Sequence, residues 1–113
     1  MFAATVSHPD IAYSVNKLVQ YSSNPSITHW NLAKRILQYL YTTKDYELCL
    51  GGDKLCLHAY SDSDFAGDTE DRKSTGGYAI FLGSGAVSWP SRKQMTVVLS
   101  STEAEYIALS EAA

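Results

Sequence analysis

The chain has 113 residues, the length of one domain or of part of one. Its hydrophobic content of 45% is too high for a disordered protein, and no run of about 18 apolar residues predicts a transmembrane helix. The formal net charge of −3 excludes a globally basic nucleic-acid-binding protein, so any such binding needs a local patch. The first residues lack the features of a secretory signal, and two cysteines make no disulfide framework. We therefore expect an intracellular protein with no membrane partner.

The first part of the chain predicts a pair of helices. Pro9 suits the first position of a helix, and apolar residues recur at helical spacing until Asn24-Pro25 ends it. A second helix is predicted in 26–43, where Trp30 lies on the apolar stripe. This pattern favours a core position for Trp30.

Beyond residue 45 the pattern changes from helical spacing to alternation. Residues 46–59 alternate around Gly51-Gly52, which predicts a β-hairpin with Cys49 and Cys56 facing each other as reduced thiols. Later strands are predicted in GGYAIFLG, in AVSWPS and in QMTVVLS, the last as a continuation past a bulge at Pro90.

A final helix is predicted from the end of this strand region onward. Ser100 with Glu103 three residues later forms a capping-box pattern. Neither glycine, proline nor a basic last turn marks an end, so we expect this helix to be incomplete at Ala113.

Two carboxylates stand where the predicted elements can bring them together. Asp62 lies at the end of a strand, and Glu105 lies in the first turns of the final helix. If the helix packs across the sheet, both side chains can meet near the middle of the sheet. Carboxylate oxygens suit Mg²⁺, and a pair of such ions can hydrolyse a phosphodiester. The alternative, more common for acids in general, is that both lie on the surface.

A basic, hydroxyl-bearing loop follows this strand and consists of Arg72, Lys73, Ser74 and Thr75. Such a loop can hold nucleic-acid phosphates. It can equally provide local ion partners for the acids that precede it, which are otherwise predicted to be solvated. The sequence leaves both interpretations open.

Several strings resemble one known family when taken in combination. DRKSTGGY, AVSW and STEAEYIALSEAA resemble the ribonuclease H domain of copia-type LTR retrotransposon polyproteins. HWNLAKRILQYL upstream is similar to the end of the reverse transcriptase in the same polyproteins. The resemblance covers nearly the whole chain.

The resemblance implies an α+β fold with two parts. Residues 1–45 would be a helical remnant of the reverse transcriptase C-terminal region, and 46–113 a truncated ribonuclease-H-like domain of antiparallel strands followed by a helix. Asp62 and Glu105 match the family's catalytic Mg²⁺ ligands, and the substrate implied is the RNA strand of an RNA–DNA hybrid. The family's other carboxylates would lie downstream of Ala113, so we expect weak Mg²⁺ binding and little or no cleavage.

Other functions remain open at this stage. An incomplete sheet leaves an open edge, through which the protein could associate with itself. A retroelement-derived module that binds nucleic acid or protein is one alternative. An effector-like small protein is another, because fragments similar to this family occur among plant-pathogen effectors, although no Arg-x-Leu-Arg string is present.

Overall fold

The computed structural model describes residues 1–113 and divides into two units, Met1–Leu48 and Cys49–Ala113. The division lies close to the boundary expected after residue 45. None of the helices combines the length and the apolar character that a membrane crossing requires.

The first unit is helical. It consists of α1 (Phe2–Val6), a single 3₁₀ turn (Pro9–Ile11), α2 (Ala12–Val19) and α3 (Ile27–Thr42). The predicted helix pair is therefore present, with Pro9 at the start of the 3₁₀ turn that leads into α2. The short helix α1 was not predicted.

The N-terminus of α3 is closed by a capping box in which histidine replaces the usual acid. The backbone N–H of Ser26 donates to Nδ1 of His29 at 3.0 Å. The ring of His29 also stacks on Tyr21, with centroids 4.2 Å apart. This orientation turns the side of α3 that carries His29, Leu32 and Ile36 toward α2.

The prediction that Trp30 lies in a core was wrong, since its side chain is 60% exposed. Trp30 and Leu37 share a stripe of α3 that is rotated away from the His29–Ile36 side, and Leu37 is also exposed. The spacing of apolar residues in α3 allows either of two neighbouring stripes of the helix to pack against α2. The capping box of Ser26 and His29 favours packing of the stripe that carries His29.

The second unit contains an antiparallel sheet and one helix. The strands are β1 (Leu57–Asp64), β2 (Thr75–Leu82), β3 (Gly85–Ser88) and β4 (Ser91–Lys93), followed by α4 (Ser101–Ala112). The order is β1-β2-β3, and β4 also pairs with β2, so β2 is central and β1 is an edge. Helices and an antiparallel sheet confirm the predicted α+β class.

The predicted hairpin in 46–59 is absent. Only β1 forms there, and Cys49 and Cys56 are exposed, free thiols. Gly51 makes an isolated bridge to Gly83, and its carbonyl accepts a hydrogen bond from the N–H of Ser84 at 2.8 Å. The Gly-Gly segment therefore bonds to the β2–β3 turn instead of forming a turn of its own.

The strand predicted in QMTVVLS was also wrong. The chain continues the sheet directly after Trp89-Pro90 as β4, and residues 94–100 form no strand. Met95 and Leu99 are 90% and 93% exposed, so these apolar residues do not contribute to the core of the unit.

Small residues allow α4 to lie close to the sheet. Ala104 and Ala108 of α4 are 0% and 1% exposed, and the helix packs against β1 and β2. A Cβ on Gly76 of β2 would lie 3.5 Å from Cβ of Ala108. Ser100 caps the start of this helix as predicted, with the N–H of Glu103 donating to Oγ of Ser100 at 3.2 Å.

Candidate metal and nucleic-acid site

Asp62 lies on β1 opposite Gly77 of β2, two residues before the strand ends. Its neighbour Ser63 lies opposite Gly76, the residue that faces Ala108 of α4. Because successive strand side chains point to opposite faces, Ser63 faces α4 and Asp62 faces away from it. The Asp62 carboxylate is exposed, and Oδ1 accepts a hydrogen bond from the N–H of Ser63 at 2.9 Å.

Glu105 follows the buried Ala104 on α4 and is exposed. The other acid in this turn is Glu103, whose Oε2 accepts a hydrogen bond at 3.0 Å from the N–H of Leu99, the residue before the N-cap Ser100. The carboxylate of Glu103 is therefore engaged in a hydrogen bond at the start of α4. The assignment of Glu105, and not Glu103, as a metal ligand stays a prediction.

The helix packs across β1 and β2, as the sequence reasoning required, but on the face that Ser63 occupies. The side chain of Asp62 therefore points away from the face on which α4 packs. The structure contains no group of three or more His, Cys, Asp or Glu side chains that could hold a metal ion. The assignment of Asp62 and Glu105 as Mg²⁺ ligands stays a prediction.

The acidic loop after β1 is held by a lysine from β4. Nζ of Lys93 lies 2.7 Å from Oδ2 of Asp68 and 2.8 Å from Oδ2 of Asp71. Asp68 is only 2% exposed, and its Oδ1 also accepts a hydrogen bond from the N–H of Glu70 at 2.8 Å. Asp71, which was expected to be solvated, is therefore ion-paired to Lys93, as is Asp68.

The charges of this cluster stabilise one another. The hydrogen bond from Lys93, with that from the N–H of Glu70, holds the pKa of Asp68 well below its usual range. The hydrogen bond from Lys93 also lowers the pKa of Asp71. In return, Asp68 and then Asp71 raise the pKa of Lys93 to about 12. Sequence reasoning missed this cluster because Lys93 follows Asp68 by 25 residues and no local pattern joins them.

The predicted phosphate-binding loop is only partly accessible. Ser74 is fully buried, and its Oγ accepts a hydrogen bond from the N–H of Ala66 at 3.0 Å. Thr75 is 7% exposed and begins β2. Arg72 is exposed with a positive φ of 59°, and Lys73 is half-buried. Of the four residues, Arg72 and Lys73 therefore remain as the ones that can present charge to a ligand.

The helical unit carries a separate groove of about 590 Å³ between α2 and α3. Its lining mixes aromatic rings with both signs of charge. A hydrogen bond from Tyr39 to Asp10 raises the pKa of Tyr39. The aromatic and charged lining residues are Asp10, Tyr13, Lys17, Tyr21, His29, Arg35 and Tyr39.

No family model and no solved structure matches the chain. Several curated proteins are similar to the chain. The chain is 54% identical over 101 residues to the "Retrovirus-related Pol polyprotein from transposon RE2" of Arabidopsis thaliana, covering 88% of the chain and 7% of that polyprotein. It is 45% identical over 111 residues to the corresponding "transposon TNT 1-94" polyprotein of Nicotiana tabacum, covering 98% of the chain and 8% of the polyprotein.

A much shorter protein is also similar to the chain, and the alignment covers most of that protein. The chain is 51% identical over 115 aligned residues to the "Secreted RxLR effector protein 161" of Plasmopara viticola, covering 99% of the chain and 80% of that protein. By contrast, the chain spans less than a tenth of the RE2 and TNT 1-94 polyproteins. This similarity, which extends over nearly all of its residues, shows that the chain belongs to the family of copia-type retrotransposon Pol polyproteins.

Proposed function

We propose that Cys49–Ala113 is the first part of a ribonuclease-H-like domain and that Met1–Leu48 corresponds to the C-terminal region of a reverse transcriptase. The observation that carries the proposal is the arrangement of the second unit, in which an antiparallel sheet is followed by a helix packed on β1 and β2. Asp62 comes from β1 and Glu105 from that helix. The substrate class of such a domain is the RNA–DNA hybrid.

The small number of proposed ligands limits how tightly these residues can bind a metal ion. Asp62 and Glu105 are the two carboxylates assigned to Mg²⁺, whose chemistry when bound is to stabilise charge on a phosphodiester. Two exposed carboxylates on different elements supply few protein ligands, so Mg²⁺ binds them weakly and keeps most of its waters. The chain of 113 residues therefore binds a hybrid without cleaving it efficiently.

A cleavage assay with a labelled RNA–DNA hybrid tests this proposal. At millimolar Mg²⁺ we expect cleavage at the level of the no-enzyme control. NMR titration with Mg²⁺ should shift the signals of Asp62 and Glu105 weakly, and Asp62→Asn or Glu105→Gln should each remove that shift.

Asp64→Asn and Glu103→Gln serve as matched controls, because each removes a neighbouring carboxylate of the same kind. The controls should keep the Mg²⁺-dependent shifts. Robust cleavage that survives both Asp62→Asn and Glu105→Gln would show that other residues hold the metal.

Charge reversal at the exposed loop tests hybrid binding itself. The double variant Arg72→Glu, Lys73→Glu should weaken hybrid binding because both side chains would meet phosphates. The slope of log K against log salt should become shallower by about 1 for each phosphate contact that is lost. Fluorescence anisotropy with a labelled hybrid measures both quantities.

The matched control for this reversal is Lys44→Glu, Lys54→Glu, which makes the same change in net charge at two exposed positions. Equal loss of affinity in both double variants would contradict a local phosphate site. Unchanged binding in the loop variant, or no hybrid binding by the parent chain, would favour a protein partner.

A second candidate function is that of a secreted effector. The observation that favours it is the identity of 51% to the effector of Plasmopara viticola over 80% of that protein's length. Secretion of the chain by its native cell into the culture medium, measured by mass spectrometry, would support this candidate. Retention within the cell would contradict it.

A further inference from the structure

The loop between β1 and β2 is closed by hydrogen bonds on both sides of Arg72. The N–H of Arg72 donates to the carbonyl of Asp68 at 3.0 Å. The N–H of Lys73 donates to Oδ1 of Asp71, also at 3.0 Å. Between these bonds Arg72 has a left-handed φ of 59°. Such a conformation is unfavourable for a residue with a side chain and persists only where surrounding contacts hold it.

Lys93 of β4 holds both aspartates that close this loop. Its Nζ lies 2.7 Å from Oδ2 of Asp68 and 2.8 Å from Oδ2 of Asp71, so one ammonium group joins the two acids. Lys93 is itself fixed by the sheet, in which it pairs with Thr75 of β2. Removal of this cation would therefore release the loop at the turn that determines the direction of Arg72.

The same ion pairs leave the guanidinium of Arg72 available to a ligand. Three acids precede Arg72 closely, namely Asp68, Glu70 and Asp71, but the cation that pairs with two of them is Lys93. Arg72 is exposed. The sequence allowed the loop cations to serve either as partners of these acids or as phosphate contacts. Because Lys93 already neutralises Asp68 and Asp71, the geometry favours a phosphate contact for Arg72.

We infer that Lys93 is a positioning residue for the hybrid contact of Arg72. Through Asp68 and Asp71 it holds Arg72 in the left-handed conformation and directs the guanidinium to a phosphate. Lys93 does not contact the phosphate itself, because its ammonium group is engaged by two carboxylates. This role of Lys93 rests on the proposed function, since the ligand is the RNA–DNA hybrid of that proposal.

A double-mutant cycle in the full chain tests the coupling between Lys93 and Arg72. In fluorescence anisotropy with a labelled RNA–DNA hybrid, Lys93→Met should weaken binding about tenfold, at a temperature where circular dichroism shows the variant to be folded. Arg72→Ala should weaken binding by a similar factor, and Lys93→Met should then cause little further loss. Additive losses would overturn the inference, because Lys93 would then act on the hybrid independently of Arg72.

Two further variants separate positioning from net charge. Lys54→Met removes the same charge at an exposed position of the same unit and should leave the affinity almost unchanged. Lys93→Arg keeps a cation that can bond to both carboxylates, so its affinity should stay within about twofold of the parent. Equal losses in Lys54→Met and Lys93→Met would reduce the effect to net charge and contradict the inference.

Asp71→Ala tests the sign of the effect. Removal of a negative charge by itself favours the binding of nucleic acid. The same change takes the acceptor from the N–H of Lys73 and one of two partners from Lys93. We therefore expect Asp71→Ala to bind the hybrid more weakly than the parent does. Tighter binding would show that Asp71 only repels the hybrid, which would refute the inference.

Limited trypsin digestion tests the loop in the absence of hybrid. Trypsin cleaves after basic residues where the chain opens locally, so Lys93→Met should speed cleavage after Arg72 and leave cleavage after Lys54 at the rate of the parent. Unchanged cleavage after Arg72 would overturn the inference whether or not the hybrid binds. A parent chain that binds no hybrid contradicts the proposed function itself, whereas a parent that binds no better than Lys93→Met contradicts only the role of Lys93.

Discussion

Replacing Lys93 by methionine is expected to lower the melting temperature of the protein by several degrees at neutral pH. Methionine keeps the length and the apolar stem of the side chain but removes the cation that holds Asp68 and Asp71. Asp68, 2% exposed, would then be a nearly buried carboxylate that has lost its ion pair with Lys93. Circular dichroism at increasing temperature measures the effect. Lys73→Met is the matched control, and it should change the melting temperature little.

The pH dependence gives this prediction a second readout. The folded-state pKa of Asp68 lies below its ordinary value of 3.8, so its stabilising contribution is present above that pH and is lost as the pH falls below it. The pKa of Lys93 is raised from 10.5 to about 12, so its contribution is complete below 10.5 and is lost as the pH rises toward 12. The difference in melting temperature between the parent and Lys93→Met should therefore be widest between these limits and narrow below about pH 4. A constant difference from acid to neutral pH would contradict the role of the ion pair.

Replacing Ala108 by leucine is expected to destabilise the second unit by about 1–3 kcal/mol. Ala108 is 1% exposed, and its Cβ lies 3.5 Å from the place that a Cβ on Gly76 would occupy. The larger side chain has no space between α4 and the sheet, so the helix must move outward. This movement would also stretch the hydrogen bond of 2.9 Å from Nε2 of Gln94 to the carbonyl of Ala104.

Urea unfolding followed by circular dichroism measures the change in the free energy of unfolding. Ser110→Leu adds a side chain of the same kind at an exposed position of the same helix and should be nearly neutral. If Ala108→Leu were as stable as Ser110→Leu, close packing of α4 on β2 could not be what holds this helix in place.

Elements whose signals lie within a few residues were predicted correctly. The Ser100–Glu103 pattern spans four residues, and Ser100 caps the start of α4 as expected. The apolar run GGYAIFLG forms the central strand β2. Both succeed because a cap or a strand face depends on neighbouring residues of the chain.

Elements that depend on distant partners were predicted incorrectly or missed. The alternation around Gly51-Gly52 predicts a hairpin, but this segment bonds to the β2–β3 turn near Gly83 instead. The spacing in α3 predicted a core position for Trp30, while the helix turns its other apolar stripe toward α2. In each case the local sequence is compatible with two structures, and contacts with residues outside the segment determine which of the two forms.

The sequence by itself determined the family, the α+β class and the two carboxylates worth testing, because each is carried by local patterns or by residue strings. Only the tertiary structure decided that Asp62 faces away from α4, that Ser74 is buried, and that Lys93 holds the acidic loop. These facts depend on strand register and on a contact between residues 25 positions apart. Side-chain alternation reverses with a shift of one residue, so no local pattern specifies which face a carboxylate occupies.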